Sequence, residues 1–438
     1  MLELLKAEKG FDEIEEAFKL YEKIMSSDDA SKSDRQSKNC LIEKSFLGEI
    51  LSRYENLSAI NRERLFWCLE EIEGNPEILA LYKFLRWDLC RYKKGIDGWF
   101  YQSFDFDYES RYPDCRKFIL LLSCISEGRK DLIKRNIPVE VYEEMPHKVM
   151  AGHIAKYEET GNCEMLDFPW DKNFYAGTIF LFDRFYFTPY TFSDPFYLYR
   201  NENDGKVTGL YKGNFLVNAE GQVMNPEFET PGPAMFTTKF NESRQFATGS
   251  FINPVGIISE SVRTLNLEEE TKCLQEGDLL LAFHIPGGEG YNPVRLERSM
   301  RMALDFYDKY FPELHIRGFW SESWLYDPKL SLILDEDTNI VQMQRRFYCY
   351  PIGEGGDMLL KELKPFNEPV EKRSSLQKKA AYLINNKTEF HTTSMIVLRE
   401  DVDGIKDGYT YVTERDIREY RELLKKNGKE IPDIPEVK

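Results

Sequence analysis

The chain is poor in histidine, with five in 438 residues, and none of its eight cysteines forms a CxxC pair. A zinc centre needs several such ligands close together, so no metal site is expected. Cys40, Cys68, Cys90, Cys115, Cys124, Cys163, Cys273 and Cys349 mostly sit in apolar stretches such as FWCLEE and LLSCIS, which predicts buried, reduced thiols. Positive charge is also short: 58 Lys and Arg face 75 Asp and Glu, a net charge of −17. A duplex-binding protein carries a basic footprint, so nucleic acid is not expected as a partner; an acidic surface suits cationic acceptors. No run of about 18 apolar residues exists, so no membrane span is expected. The start, MLELLKAEKG, lacks the basic-then-apolar pattern of a signal peptide, and the cytoplasm is the expected location. There is no internal repeat, no GxxxxGK[ST] and no GxSxG. No motif specifies an oligomeric state.

Apolar and aromatic residues are plentiful, at 42% and 14%, enough for sizeable cores. The length suggests two or three domains. Residues 1–160 read as a helical domain. GFDEIEEAFKLYEKIM places Ile14, Phe18, Tyr21 and Ile24 at helical spacing, and Asn75–Pro76 marks a helix start. DDASKSDRQSKN (28–39) reads as a polar loop. From about 161 the texture turns to aromatic, strand-like runs: TIFLFDRFYFTPY, FYLYR, FINPVGIIS, LLLAFHIP. NAEG, at 218–221, is a hairpin-type turn. NIVQMQRRFYCYPI reads as a further strand. The aromatic stretch 174–200 reads as sheet core, since aromatics favour pleated surfaces. We assign 161–365 to a mixed α+β domain and 366–438 to a C-terminal extension. In that extension Thr413 and Asp416 are spaced as a capping box.

The most informative stretch is 279–307, LLLAFHIPGGEGYNPVRLERSMRMALDFY. An apolar strand ends at His284, glycines follow at 287, 288 and 290, and a helix opens at Asn292–Pro293. Leu296, Met300, Leu304 and Tyr307 form its inward stripe. A strand feeding a glycine loop and a helix start offers free backbone N–H groups to a phosphate or pyrophosphate. Gly287, Gly288, Gly290, Tyr291, Asn292 and the first-turn Arg295 are the candidate cofactor-binding residues. Glu289 sits in the same loop, and the spacing GGEG matches no standard phosphate motif.

Three segments in order carry a resemblance. They are His284–Pro286 with its glycine loop and Ser299, then Ser323–Pro328 (SWLYDP), then Asn339–Phe347. Together they resemble bacterial acyltransferase-like proteins that join a helical N-terminal domain to a domain like the GCN5-related N-acetyltransferases (GNAT). The resemblance implies an α+β fold with a GNAT-like mixed sheet flanked by helices. It makes 279–307 that fold's fourth strand, pyrophosphate loop and helix, and places the fifth strand at about His315–Trp324. The two strands splay around the thioester. In that family the loop usually reads Gln/Arg-x-x-Gly-x-Gly/Ala, which this chain lacks.

The implied reaction is attack of an amine on an acyl-CoA thioester, with acyl-CoA as cosubstrate and a small-molecule amine as acceptor. The amine must lose a proton and the departing thiolate must gain one. Glu322, among Phe319, Trp320 and Trp324, is the first candidate base and His284 the second; Tyr326 is the candidate proton donor. Ser323 reads as a turn residue rather than a nucleophile. Arg345 and Arg346 read as a solvated pair on a strand. The alternative is a non-catalytic binding or scaffold protein on the same frame, consistent with the missing motif and Glu289. A third reading, carbohydrate chemistry, rests on acids beside aromatics in FDFDYES and WSESW.

Overall fold

Asn75 shows how local chemistry sets the elements: its Oδ1 accepts the amides of Glu77 and Ile78 at 3.0 and 3.3 Å, opening Pro76–Leu89. The computed structural model describes residues 1–26, 40–90, 99–163, 167–224 and 234–434. The polar loop expected at 28–39 therefore lies outside the described residues. The chain divides into two compact units, Met1–Leu181 and Phe182–Lys438.

The first unit is helical. Its longer helices are Phe11–Ser26, Ala59–Gly74, Pro76–Leu89, Arg116–Lys134 and Met145–Thr160. Arg116–Lys134 is its spine and buries every residue from Phe118 to Ile125. Gly128 lets the helix Phe168–Ala176 come close: a Cβ there would stand 2.2 Å from the Ala176 carbonyl oxygen. Of the expected stripe, Ile14 is buried while Ile24 at the helix end is 40% exposed.

Among its described residues the second unit holds two large sheets and a two-stranded one, Leu216–Asn218 with Ala234–Thr237. The first contains β1 (Phe185–Thr191), β2 (Leu279–His284), β3 (Gly318–Ser323), β4 (Tyr348–Gly355) and β5 (His391–Leu398), in the order β4-β5-β3-β2-β1. Only β2 and β3 are parallel among these neighbours. The second sheet is antiparallel and runs Ile257–Asn266, Phe246–Asn253, Val207–Tyr211, Phe196–Asn201, Glu270–Leu274. The sheets share a core in which Tyr348, Tyr350, Ile396 and Leu398 meet Phe196, Leu198 and Ile252. Much of the aromatic stretch from Phe180 to Arg200 is buried, as expected of sheet core, whereas 174–176 end the helix Phe168–Ala176 instead.

Two sequence expectations change. NIVQMQRRFYCYPI is not one strand: Asn339–Gln344 is a helix and the strand begins at Tyr348. Val341 and Gln344, three apart, both turn inward, which a helix permits and a strand does not. Arg346 is consequently buried, donating to the carbonyls of Ile405 and Gln342, while Arg345 pairs with Glu414 at 2.8 Å. The segment 366–438 lies within the second unit, where its strand β5 is central and every residue is buried. Its last long helix, Glu414–Lys426, carries the expected Thr413–Asp416 capping box.

Candidate active site at the β2–β3 seam

β2 and β3 pair at Leu281–Phe319 and Ala282–Trp320, and there the pairing stops. Each strand keeps its outer partner beyond that point. β2 stays on β1 as far as His284–Tyr186, and β3 stays on β5 as far as Ser323–Thr393. Only the seam between them opens. Strand alternation puts His284 and Glu322, each two residues past the last pair, on one face of the sheet. The same face carries Trp320, stacked on Tyr190 at 4.2 Å, with its Nε1–H donating to Tyr350 Oη at 2.8 Å. The Tyr350 hydroxyl in turn donates to Asp194 at 2.5 Å.

The opposite face is lined by aromatics. Phe185, Phe283 and Phe347 form a chain of ring contacts, and Phe187 meets Phe319 at 5.7 Å. Tyr326 lies here, fully buried, its hydroxyl donating to Ser321 Oγ at 3.0 Å. Burial pushes the Tyr326 hydroxyl well above the usual tyrosine range, so it stays protonated. Tyr291 Oη is buried beside it, and the two hydroxyls interact. His284 and Glu322 are both half-buried. Burial holds the His284 imidazole down at about 4, so it is neutral at pH 7. The structure thus brings Glu322 and His284 together on one face and sets Tyr326 on the other. Ser323 Oγ accepts the Leu325 amide at 3.2 Å, the turn role expected of it.

The glycine loop leads from the open end of β2 into the helix Pro293–Tyr310. Asn292 caps that helix by accepting the Arg295 amide at 3.0 Å. Gly288 and Gly290 have φ of +107° and +94°, conformations other residues resist. The loop is held from behind by Arg184. Its Nε donates to the Glu289 carbonyl at 2.7 Å, and its Nη2 to those of Pro286 and Gly288 at 2.6 and 3.0 Å. In a trans peptide the N–H points away from the preceding C=O. With three carbonyls turned to Arg184, the amides of Gly287, Glu289 and Gly290 face the other way. Among the described residues, no amide from Gly287 to Asn292 donates to a protein acceptor.

Arg295 differs from the expectation. It does not face the loop as a free phosphate ligand, because its Nε and Nη2 donate to Asp183 at 2.7 and 3.0 Å. Asp183 and Arg184 are the residues that sequence reasoning missed. They lie in the turn before β1, and Asp183 has a φ of +52°. Ser299, part of the sequence motif, is fully buried and accepts the Arg184 amide at 3.2 Å. At the other end of β3 a cleft of about 230 Å³ is lined by Tyr307, Asp308, His315, Arg317 and Arg399. Asp308 and Arg399 pair within it, away from the seam. Among the described residues, no cluster of three or more His, Cys, Asp or Glu is placed to hold a metal. No helix there is long and apolar enough to cross a membrane, and all eight cysteines are free.

Residues 227–395 match the family of GNAT-like C-terminal domains. No curated protein gives a significant match. Among solved structures, an acyltransferase in complex with decanoyl-CoA and teicoplanin is 17% identical. That match covers 82% of this chain and 90% of the other, with a TM-score of 0.47. An acyltransferase in complex with decanoyl-CoA is 16% identical, covering 87% of this chain and 98% of the other, with a TM-score of 0.47.

Proposed function

We propose that this chain, which carries a GNAT-like C-terminal domain over residues 227–395, is an acyltransferase. It takes an acyl group from an acyl-CoA thioester and passes it to an amine of a small molecule. The observation that carries this reading is the seam: two parallel strands paired only through Ala282–Trp320, with an outward-facing row of amides at the end of β2. A thioester lying in the opening would pass Glu322 and His284 on one side. The loop amides suit the diphosphate, with Gly288, where a Cβ would meet nothing within 4 Å, leaving room for close approach. The amine nitrogen attacks the thioester carbon, the carbon–sulfur bond breaks, and the thiolate leaves. In this reading Glu322 accepts the amine proton, neutral His284 hydrogen-bonds the incoming amine, and the proton held by Glu322 passes to the departing sulfur, while Tyr326, buried on the other face and donating to Ser321, stays a wall residue.

One observation favours a second reading, a binding protein on the same frame: Asp183 already occupies Arg295, the arginine in the first turn of the helix that follows the loop. Titration with acetyl-CoA and longer acyl-CoAs, followed by melting temperature, separates the two, because a ligand that binds only the folded state raises it by mass action. A dose-dependent rise, followed by turnover in an acceptor screen, is the expected result. A rise without turnover, or no rise with any acyl-CoA, supports the binding protein and overturns the acyltransferase.

A further inference from the structure

Arg184 is 8% exposed, yet no carboxylate among the described residues forms an ion pair with it. Among the described residues the charged group that bears on it is a second cation, Arg295. Its donors go to three loop carbonyls, which are dipoles and leave the positive charge standing. A buried guanidinium without a counter-ion is costly, and folds retain one where something repays the cost. The same three hydrogen bonds turn the amides of Gly287, Glu289 and Gly290 outward, so cation and amides present one positive surface through the loop. Gly290 keeps that stack tight. A Cβ there would stand 3.0 Å from Arg295 Nη1 and 3.6 Å from Arg184 Cδ.

We infer that Arg184 is the positioning residue of an anion site on this loop: it fixes the outward amides and supplies, from behind, the charge that selects a diphosphate-bearing thioester over one lacking it. The inference rests on the acyl-CoA reading above and adds to it the residue that does the selecting. Arg184 touches no reacting atom; it acts through the loop backbone.

The test uses the full chain and three probes: acetyl-CoA, acetylpantetheine, which lacks the diphosphate, and inorganic diphosphate. Binding is measured by calorimetry for the parent, Arg184→Met and Arg184→Lys. Arg184→Met is expected to weaken acetyl-CoA and diphosphate by about tenfold or more, while acetylpantetheine stays within about twofold. Arg184→Lys, which keeps the charge and loses the fork, is expected to fall between. In turnover, the loss should appear in KM for acetyl-CoA with kcat nearly unchanged. Equal weakening of acetyl-CoA and acetylpantetheine would make Arg184 a general structural residue and overturn the inference, as would unchanged affinity for both anionic probes. Should Arg184→Met not fold, Arg184→Lys decides alone. It must weaken the two anionic probes together and spare acetylpantetheine. A parent that binds diphosphate but no acyl-CoA sinks the acyltransferase reading and leaves the anion site standing. A parent that binds neither overturns both.

Discussion

Asp183 holds Arg295 through two hydrogen bonds, 2.7 and 3.0 Å long, and so keeps the arginine of the helix's first turn from serving the loop. The Arg295 guanidinium in turn keeps the Asp183 carboxyl below the usual range, so the pair is charged at neutral pH. Arg295→Ala should therefore leave acyl-CoA affinity within about twofold, since a pair this exposed contributes little to a neighbouring site. Asp183→Asn, which weakens the hold on Arg295, should tighten acyl-CoA binding. Calorimetric titration of both variants checks this; a tenfold loss in Arg295→Ala would restore Arg295 as a phosphate ligand.

The loop glycines separate backbone need from free space. A Cβ at Gly287 or Gly288 would meet nothing within 4 Å, but only Gly288 has a positive φ, +107°. Gly288→Ala should cost roughly 1–2 kcal/mol through backbone strain alone, and Gly287→Ala less than about 0.5 kcal/mol. Denaturant midpoints measure both. Equal costs would mean that the positive φ of Gly288 does not constrain the residue there.

Away from the seam, Glu220 sits in the NAEG turn, 3% exposed, paired with Lys329 and with His391 Nε2 at 3.0 Å. Those partners outweigh burial and hold its carboxyl down at about 2. A depressed carboxylate contributes stability that is present above its unfolded value near 4.5 and lost as pH falls toward 2. Glu220→Gln leaves Lys329 buried without its counter-charge and should cost about 3–5 kcal/mol at pH 7. The gap between parent and variant should narrow as pH drops from 4.5 to 2. Urea unfolding across that range reads it; a gap constant with pH would mean that the ion pair is not what Glu220 supplies.

How much of this was legible in the sequence follows from how local each feature is. The helix Pro293–Tyr310 was, because Asn292, Pro293 and the Leu296–Tyr307 stripe are local signals. So were the Asn75 cap and the Thr413–Asp416 box. The seam was not: where β2 and β3 part depends on pairings with Tyr186 and Thr393, far away in sequence. β5 is legible as a strand in HTTSMIVLRE, but its eight buried residues carry no mark of which strands will flank them. Arg184 lies more than 100 residues before the loop it clamps, and a lone arginine in an aromatic run gives no local sign of that task. Glu322 and His284 were legible as types of residue beside a strand end. That they share a face follows only from the Ala282–Trp320 pairing.

That shared face gives the last prediction its form, because two groups there compete for one proton. His284 is held down at about 4, below the unfolded value near 6.5. Between those values the unfolded chain binds more protons than the folded one, so this histidine makes stability fall as pH drops from 6.5 to 4. His284→Gln cannot titrate and should lose less stability over that window than the parent. For turnover, an imidazole this acidic is a weak acceptor at pH 7. Glu322→Gln is therefore expected to lower kcat by about 10²-fold or more, with KM for acyl-CoA little changed. His284→Gln should cost about tenfold or less. The pH–rate profiles of the two variants decide the matter. If the acid limb near 4 vanishes in His284→Gln and Glu322→Gln stays active, the imidazole takes the amine proton and the carboxylate only orients it.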